Sequence, residues 1–142
     1  MKSNILPRLI FVEGVDRVGK TTLIEAIHKA TDYKHIIVDR GVISNMVYSI
    51  SKKRYSKRNM EKYNEIDSSL GRMNALVIYV TCDTDIIQKR IELTNHEYVD
   101  VDFEKELFED FVSTTEMCMV KVDTGKNTTD EIVEKLLSIK MI

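Results

Sequence analysis

Apolar residues fall in two kinds of spacing that take turns along the chain. Short apolar runs lie within 8–13, 34–39, 75–80 and 117–123, and they predict strands. Ala75-Leu76-Val77-Ile78-Tyr79-Val80 is unbroken, as in a parallel strand buried on both faces, and Lys34–Asp39 is read the same way. Between the runs the spacing turns helical. Leu23, Ile24, Ala26, Ile27 and Ala30 share one face, as do Ile43, Val47 and Ile50 with Met46 near them. A third helix is expected over 58–71, with Met60, Tyr63, Leu70 and either Ile66 or Asp67 in phase. Asp83 or Thr84 caps a fourth that runs through Leu93, and Phe103, Leu107, Phe108, Phe111 and Val112 mark a fifth. Thr128 and Glu131 form a capping box for a last helix carrying Ile132, Val133, Leu136 and Leu137. Thr94–Asp102 is polar and aperiodic and reads as a loop, and 124–127 as a turn. Alternating strands and helices predict an α/β fold, a three-layer sandwich around a mostly parallel sheet.

Bulk properties narrow the class without naming a chemistry. A length of 142 residues suits one domain over 1–142, and 43% hydrophobic with 31% charged residues is the balance of a soluble globular protein. No apolar run approaches the roughly 18 residues of a membrane span, and Met1–Pro7 lacks the apolar stretch of a signal peptide. Cys82 and Cys118 show no metal-ligand spacing, so packing in a reduced, cytoplasmic setting is expected. The net charge of −2 is unevenly spread. Lys52, Lys53, Arg54, Lys57, Arg58 and Lys62 form a basic run, read first as a solvated helix face and second as a phosphate-facing patch. Residues 92–110 are predominantly acidic.

The candidate chemistry lies between the first strand and the first helix. Gly14-Val15-Asp16-Arg17-Val18-Gly19-Lys20-Thr21-Thr22 fits the pattern G-x-x-x-x-G-K-[ST]. Its glycines let backbone N–H groups converge on phosphate oxygens, and the helix that follows adds its positive dipole end. Lys20 brings a cation to the outer phosphates, and Thr21 supplies a hydroxyl ligand for Mg²⁺. In a parallel sheet the ligand lies past the carboxyl ends of the strands, where Gly14, Asp39, Asp83 and Asp123 are expected.

Phe11-Val12-Glu13-Gly14-Val15-Asp16-Arg17-Val18-Gly19-Lys20-Thr21-Thr22 resembles the opening of thymidylate kinases, in particular the subgroup with Asp-Arg inside the phosphate loop. Asp39-Arg40 resembles that family's Asp-Arg motif at a strand end, and the order of the later parts is similar too. The resemblance implies a P-loop NTPase fold of the nucleotide-kinase kind, ATP and Mg²⁺ as cofactors, and a mobile lid at about 91–103. It implies that Arg17 meets transition-state charge, that Asp16 meets the acceptor sugar and that Arg40 holds acceptor phosphate. By the same resemblance Asp39 acts on Mg²⁺ through water or as a base, and Arg90 packs on adenine or stands near the ATP phosphates. Residues 91–103 contain no Lys or Arg, which agrees with a charge-neutralising arginine in the loop. Homodimers are common in the family.

One departure is large. Only 18 residues separate Lys20 from Asp39, too few for the segments that hold the base and acceptor nucleotide in the family. The acceptor pocket is then rebuilt from residues 42–72, supplied by a partner subunit, or replaced for another acceptor. The favoured expectation is transfer of the ATP γ-phosphate to a deoxynucleoside monophosphate, with dTMP first. The second is a polynucleotide-kinase-like enzyme acting on a hydroxyl of a nucleic acid or modified nucleoside, with Asp39 as base. The third is a nucleotide-binding relative without catalysis.

Overall fold

The computed structural model describes residues 5–94 and 100–142. Along the chain lie β1 (Leu9–Glu13), α1 (Lys20–Ala30), β2 (Ile36–Asp39), α2 (Val42–Ser51), α3 (Lys57–Arg72), β3 (Leu76–Thr81), α4 (Thr84–Leu93), α5 (Val101–Thr114), β4 (Cys118–Asp123) and α6 (Thr129–Ser138). The four strands form one parallel sheet in the order β2-β1-β3-β4. The predicted α/β sandwich is the observed architecture, with helices flanking the sheet.

The strand order sets where a ligand can enter. From β1 the chain steps outward to β2, whereas from β3 it steps the other way to β4. The connections therefore diverge between β1 and β3 and leave a crevice at their carboxyl ends. Gly14 lies at that point. Helix α1 packs on α6, while α2 packs on α3 and α5. The core between them includes Ile10, Val12, Leu23, Ile27, Ile43, Val47, Phe108 and Leu136, all essentially inaccessible.

Burial follows the sheet position of each strand. Every residue of β3 is buried, as its apolar run predicts. β2 departs from its expected burial: it is an edge strand, and Ile36 is 68% exposed. An apolar run shows β-propensity but not how many neighbours the strand will have. The same cause places Cys118, on edge strand β4, in solvent, while Cys82 packs as expected.

Helix α5 also departs from its expected phase. Its buried positions are Val101, Glu104, Phe108 and Val112, whereas Phe103 is 41% exposed. The helix begins inside the predicted loop, because the Asp100 side chain accepts the Phe103 N–H and caps it. The predicted lid at 91–103 thus has helical ends, Ile91–Leu93 in α4 and Val101–Phe103 in α5. Its middle, 95–99, and residues 1–4 at the N-terminus lie outside the described residues.

In α3 the choice between Ile66 and Asp67 falls to the acid. Asp67 is buried, and its carboxylate accepts the Thr115 hydroxyl and, at 2.8 Å, the Glu116 N–H. Gly71 lets this helix approach the same segment, because a Cβ there would lie 2.6 Å from the Glu116 carbonyl oxygen. Asp67→Ala should cost about 1–3 kcal/mol, since it removes a buried carboxylate and strands the part-buried Glu116 N–H and Thr115 hydroxyl that bond to it. Ile66→Ala should change stability by under about 0.5 kcal/mol, as a surface substitution. Urea unfolding of both variants checks the pair, and equal effects would remove this account of α3.

Candidate functional site

After Glu13 the chain turns through six residues before α1 starts at Lys20. Gly14 has φ +145°, and a Cβ there would stand 2.3 Å from the Val80 carbonyl oxygen. The loop therefore lies directly against the end of β3, which only glycine allows. Gly19, at φ +101°, is the N-cap residue of α1 with no side-chain cap bond. The first N–H groups of the helix have no acceptor within it and lie at its positive end, next to the loop. Val15 and Val18 are buried in the core, so these predicted binding residues offer backbone groups rather than side chains.

Lys20 is 6% exposed, and its ammonium donates to the carbonyls of Gly14 at 2.9 Å and Val15 at 2.8 Å. An ammonium has three N–H donors, and these contacts use two. Burial lowers its pKa below the ordinary lysine value, while Asp39, Glu13 and Glu104 pull the other way.

A cleft of about 470 Å³ surrounds the loop. Asp16, Arg17, Gly19, Lys20, Thr21 and Thr22 line one side, and Asp39, Arg40 and Arg90 the others. Residues predicted separately from three stretches of sequence thus share one cavity. Arg17 sits at φ +65° with its side chain exposed, and among the described residues its guanidinium has no hydrogen-bond or ion-pair partner. Its carbonyl accepts Arg90 Nη1 at 2.7 Å, so α4 fixes the loop backbone at that residue. The cation that follows the lid, Lys105, is used elsewhere: its ammonium donates to the Cys82 carbonyl at 2.9 Å.

Arg40 occupies the far side of the cleft. Its N–H donates to the Val12 carbonyl at 3.0 Å, and its φ of +70° turns the chain out of the sheet. Its guanidinium pairs with the Asp16 carboxylate and lies 5.3 Å from the centroid of the Tyr48 ring. Burial pushes the Tyr48 phenol up to about 12, with Arg40 pulling it back.

Glu13 supports this corner from below. It is fully buried, and its carboxylate accepts the Ser44 hydroxyl and the Ser44 N–H, with Gly41 and Ile43 N–H groups also directed at it. Gly41, the N-cap residue of α2, has no cap bond from a side chain of its own, so an acid from β1 does the capping. Burial raises the Glu13 pKa, and the Ser44 hydrogen bond followed by the backbone ones lowers it.

Thr124 and Thr129 also line the cleft, and the sequence reading missed them. Thr124 Oγ1 donates to the Val18 carbonyl at 2.6 Å, which ties the turn after β4 to the loop. The available signal was a Thr-Gly turn at the carboxyl end of a strand. Asp83 and Asp123, expected at this end of the sheet, do not line the cleft. Asp123 instead accepts the N–H groups of Gly125 at 2.8 Å and Lys126 at 3.1 Å and shapes the turn.

Among the described residues no group of three or more His, Cys, Asp or Glu side chains could cage a metal ion. The Thr21 hydroxyl and the Asp39 carboxylate face the same cleft and offer two oxygens. Such a set fits Mg²⁺, which takes one or two protein oxygens and fills its octahedron with phosphate and water.

No protein-family model matches the chain. It is 30% identical over 122 residues to the SPbeta prophage-derived uncharacterized protein YorR of Bacillus subtilis, covering 84% of this chain and 73% of that protein. A crystal structure of B. subtilis YorR in complex with phosphorylated GDP superposes with a TM-score of 0.70 at 23% identity, covering 92% of this chain and 94% of that one.

The buried Glu13 carboxyl makes a pH-dependent contribution of definite sign. Its folded pKa is raised, so it contributes stability below the ordinary carboxylate pKa and loses it as pH rises through the raised value. The stability of the native chain minus that of Glu13→Gln should fall across that window. Urea unfolding of both proteins over a pH series measures the difference, and a flat difference would contradict the buried-acid account.

Proposed function

The chain belongs to the same family as the B. subtilis protein YorR, and from that premise we propose that its cleft carries a nucleoside triphosphate and passes the γ-phosphoryl group to a nucleotide. The observation that carries this reading is the Asp16–Arg40 ion pair. It joins the phosphate loop to the strand-end Arg40 across one cleft, which Arg17, Lys20 and Arg90 also line. YorR itself is described with phosphorylated GDP bound, which supports a nucleotide as the ligand class.

Each lining residue then has a role within this proposal. Lys20, the N–H groups of the loop and Thr22 hold the donor phosphates, and Arg90 lies beside the donor. Thr21 and Asp39 hold Mg²⁺, which when bound neutralises phosphate charge. Arg40 uses the donors not taken by Asp16 to orient the acceptor phosphate, and Asp16 faces the acceptor sugar. An acceptor phosphate oxygen attacks Pγ as the bond to the bridging oxygen breaks, and the nucleoside diphosphate leaves. A monophosphate has a second pKa of about 6, so at neutral pH this nucleophile needs no base. The Arg17 guanidinium, which has no partner among the described residues, meets the charge that builds on the moving group. The resemblance to thymidylate kinases makes ATP the first donor to test and dTMP the first acceptor, and YorR adds GTP as a second donor.

A hydroxyl acceptor on a nucleic acid is the second reading. Asp39 in the cleft, available as a base, and the exposed basic run at 52–62 favour it. A coupled assay of diphosphate release, with each deoxynucleoside monophosphate and with oligonucleotides, separates the two. Stimulation by a monophosphate is expected. Stimulation by oligonucleotides alone, abolished in Asp39→Asn, would replace the first reading with the second.

Arg17→Ala should lower kcat about 100- to 1,000-fold while changing donor affinity little. Steady-state kinetics with calorimetric titration of the donor tests it. A change confined to affinity would remove Arg17 from the transition state.

A further inference from the structure

The sheet is open at β2. That strand pairs with β1 on one side, and among the described residues no strand pairs with its other side. The Ile36 N–H donates to the Arg8 carbonyl at 3.2 Å, and the Arg40 N–H to the Val12 carbonyl at 3.0 Å. Backbone groups alternate in direction along a strand, so Ile36 and Val38 face β1 while Ile37 and Asp39 point theirs outward.

Edges of this kind are commonly blunted by a lysine, a proline or a bulge. Ile36-Ile37-Val38 carries none of them and pairs with β1 in unbroken register. Apolar surface surrounds the edge. The Lys34 ammonium donates to the Ile5 carbonyl, so residues 5–8 run beside 34–36. Leu6, Tyr33 and Ile36 are all largely exposed there, and Tyr33 is fixed by stacking on His28 with ring centroids 5.2 Å apart.

The two ends of the strand are complementary. At the amino end Arg8 and Lys34 outnumber Asp32, and at the carboxyl end Asp16 and Asp39 outnumber Arg40. His35 is buried and accepts the Arg8 N–H on Nδ1 at 3.1 Å, which leaves the proton on Nε2. Among the described residues that Nε2 has no hydrogen-bond partner. An antiparallel second copy sets each amino end against the other's carboxyl end. The outward groups fix its register: Ile37 lies opposite itself, Ile36 opposite Val38, and His35 opposite Asp39, an exposed carboxylate.

We infer that β2 is an interface between two copies of this chain, paired antiparallel about a two-fold axis at Ile37. The two sheets then run on as one, and the contact is closed because the same surface serves both copies. The partner's Tyr33 stands at the carboxyl end of β2, beside the Arg40 corner of the cleft, so each copy helps to wall the other's site. The interface depends on the edge alone and not on the phosphotransfer reading.

Sedimentation velocity over a concentration series tests this with the native chain, Ile36→Lys, and Met119→Lys on the opposite edge strand. Circular dichroism melting confirms that each variant folds. The native chain should dimerise, Ile36→Lys should raise the dissociation constant about tenfold or more, and Met119→Lys should leave it unchanged. Disulfide formation reads the register in a Cys118→Ser background, Cys82 being buried. Opposed positions 36 and 38 would lie about 4.5 Å apart at Cα, within disulfide reach, whereas 36–36 and 38–38 pairs lie about 7–8 Å apart. A mixture of Ile36→Cys and Val38→Cys chains should therefore crosslink under mild oxidation, and neither variant by itself. A native chain that stays monomeric, or a dimer indifferent to Ile36→Lys, would overturn the interface. Equal crosslinking in the separate variants would overturn the two-fold register. Association lost in Met119→Lys would overturn the closed dimer in favour of a head-to-tail contact between β2 and β4.

Discussion

With φ at +145° and the Val80 carbonyl oxygen 2.3 Å from where a Cβ would stand, position 14 accepts glycine alone. Much else follows from that close approach. It brings the loop down onto the ends of β1 and β3, the strands between which the chain connections diverge. It brings the Gly14 and Val15 carbonyls within reach of Lys20, whose ammonium would otherwise be buried without partners. It also leaves Val15 and Val18 no direction but the core, so the loop is held by packing as well as by hydrogen bonds. Thr124, in the turn after β4, and Arg90 of α4 complete the clamp.

Buried charge is arranged around this loop so that each group has work at hand. Lys20 is depressed by burial yet surrounded by Asp39, Glu13 and Glu104, so the cation is held in a partly dehydrated place. Incoming phosphate would act in the same sense as those acids and favour the charged amine. Glu13 has the opposite history. Its carboxylate is buried beneath the loop and satisfied by the start of α2, which fixes the turn carrying Arg40. One acid thus couples the end of β1 to the far wall of the cleft. The Asp16–Arg40 pair closes the link at the surface, where solvent screening keeps its own stabilisation small.

Tyr48 connects the far wall of the cleft to the core. Its ring takes the Arg40 guanidinium at one end and meets Phe108 edge-on with ring centroids 6.1 Å apart. Phe108 also stacks on Tyr79 of β3 at 6.1 Å. The Arg40 corner of the cleft is thereby anchored to the central strand through aromatic contacts, to which α5 contributes Phe108.

Local geometry was legible in the residues by themselves. A glycine-rich loop between an apolar run and a helical spacing declares itself because backbone freedom and helix polarity act within a few residues. The capping box at Thr128 and Glu131 and the fully buried β3 were legible for the same reason. Tertiary structure alone decided what depends on neighbours. Whether the Ile36–Val38 run is buried turns on its edge position, and whether Phe103 or Glu104 faces inward turns on where Asp100 starts α5. The pairing of Asp16 with Arg40 and the clamp from Thr124 join residues distant in the chain. No local spacing records such contacts, because the sheet order that creates them is a property of the whole packed chain.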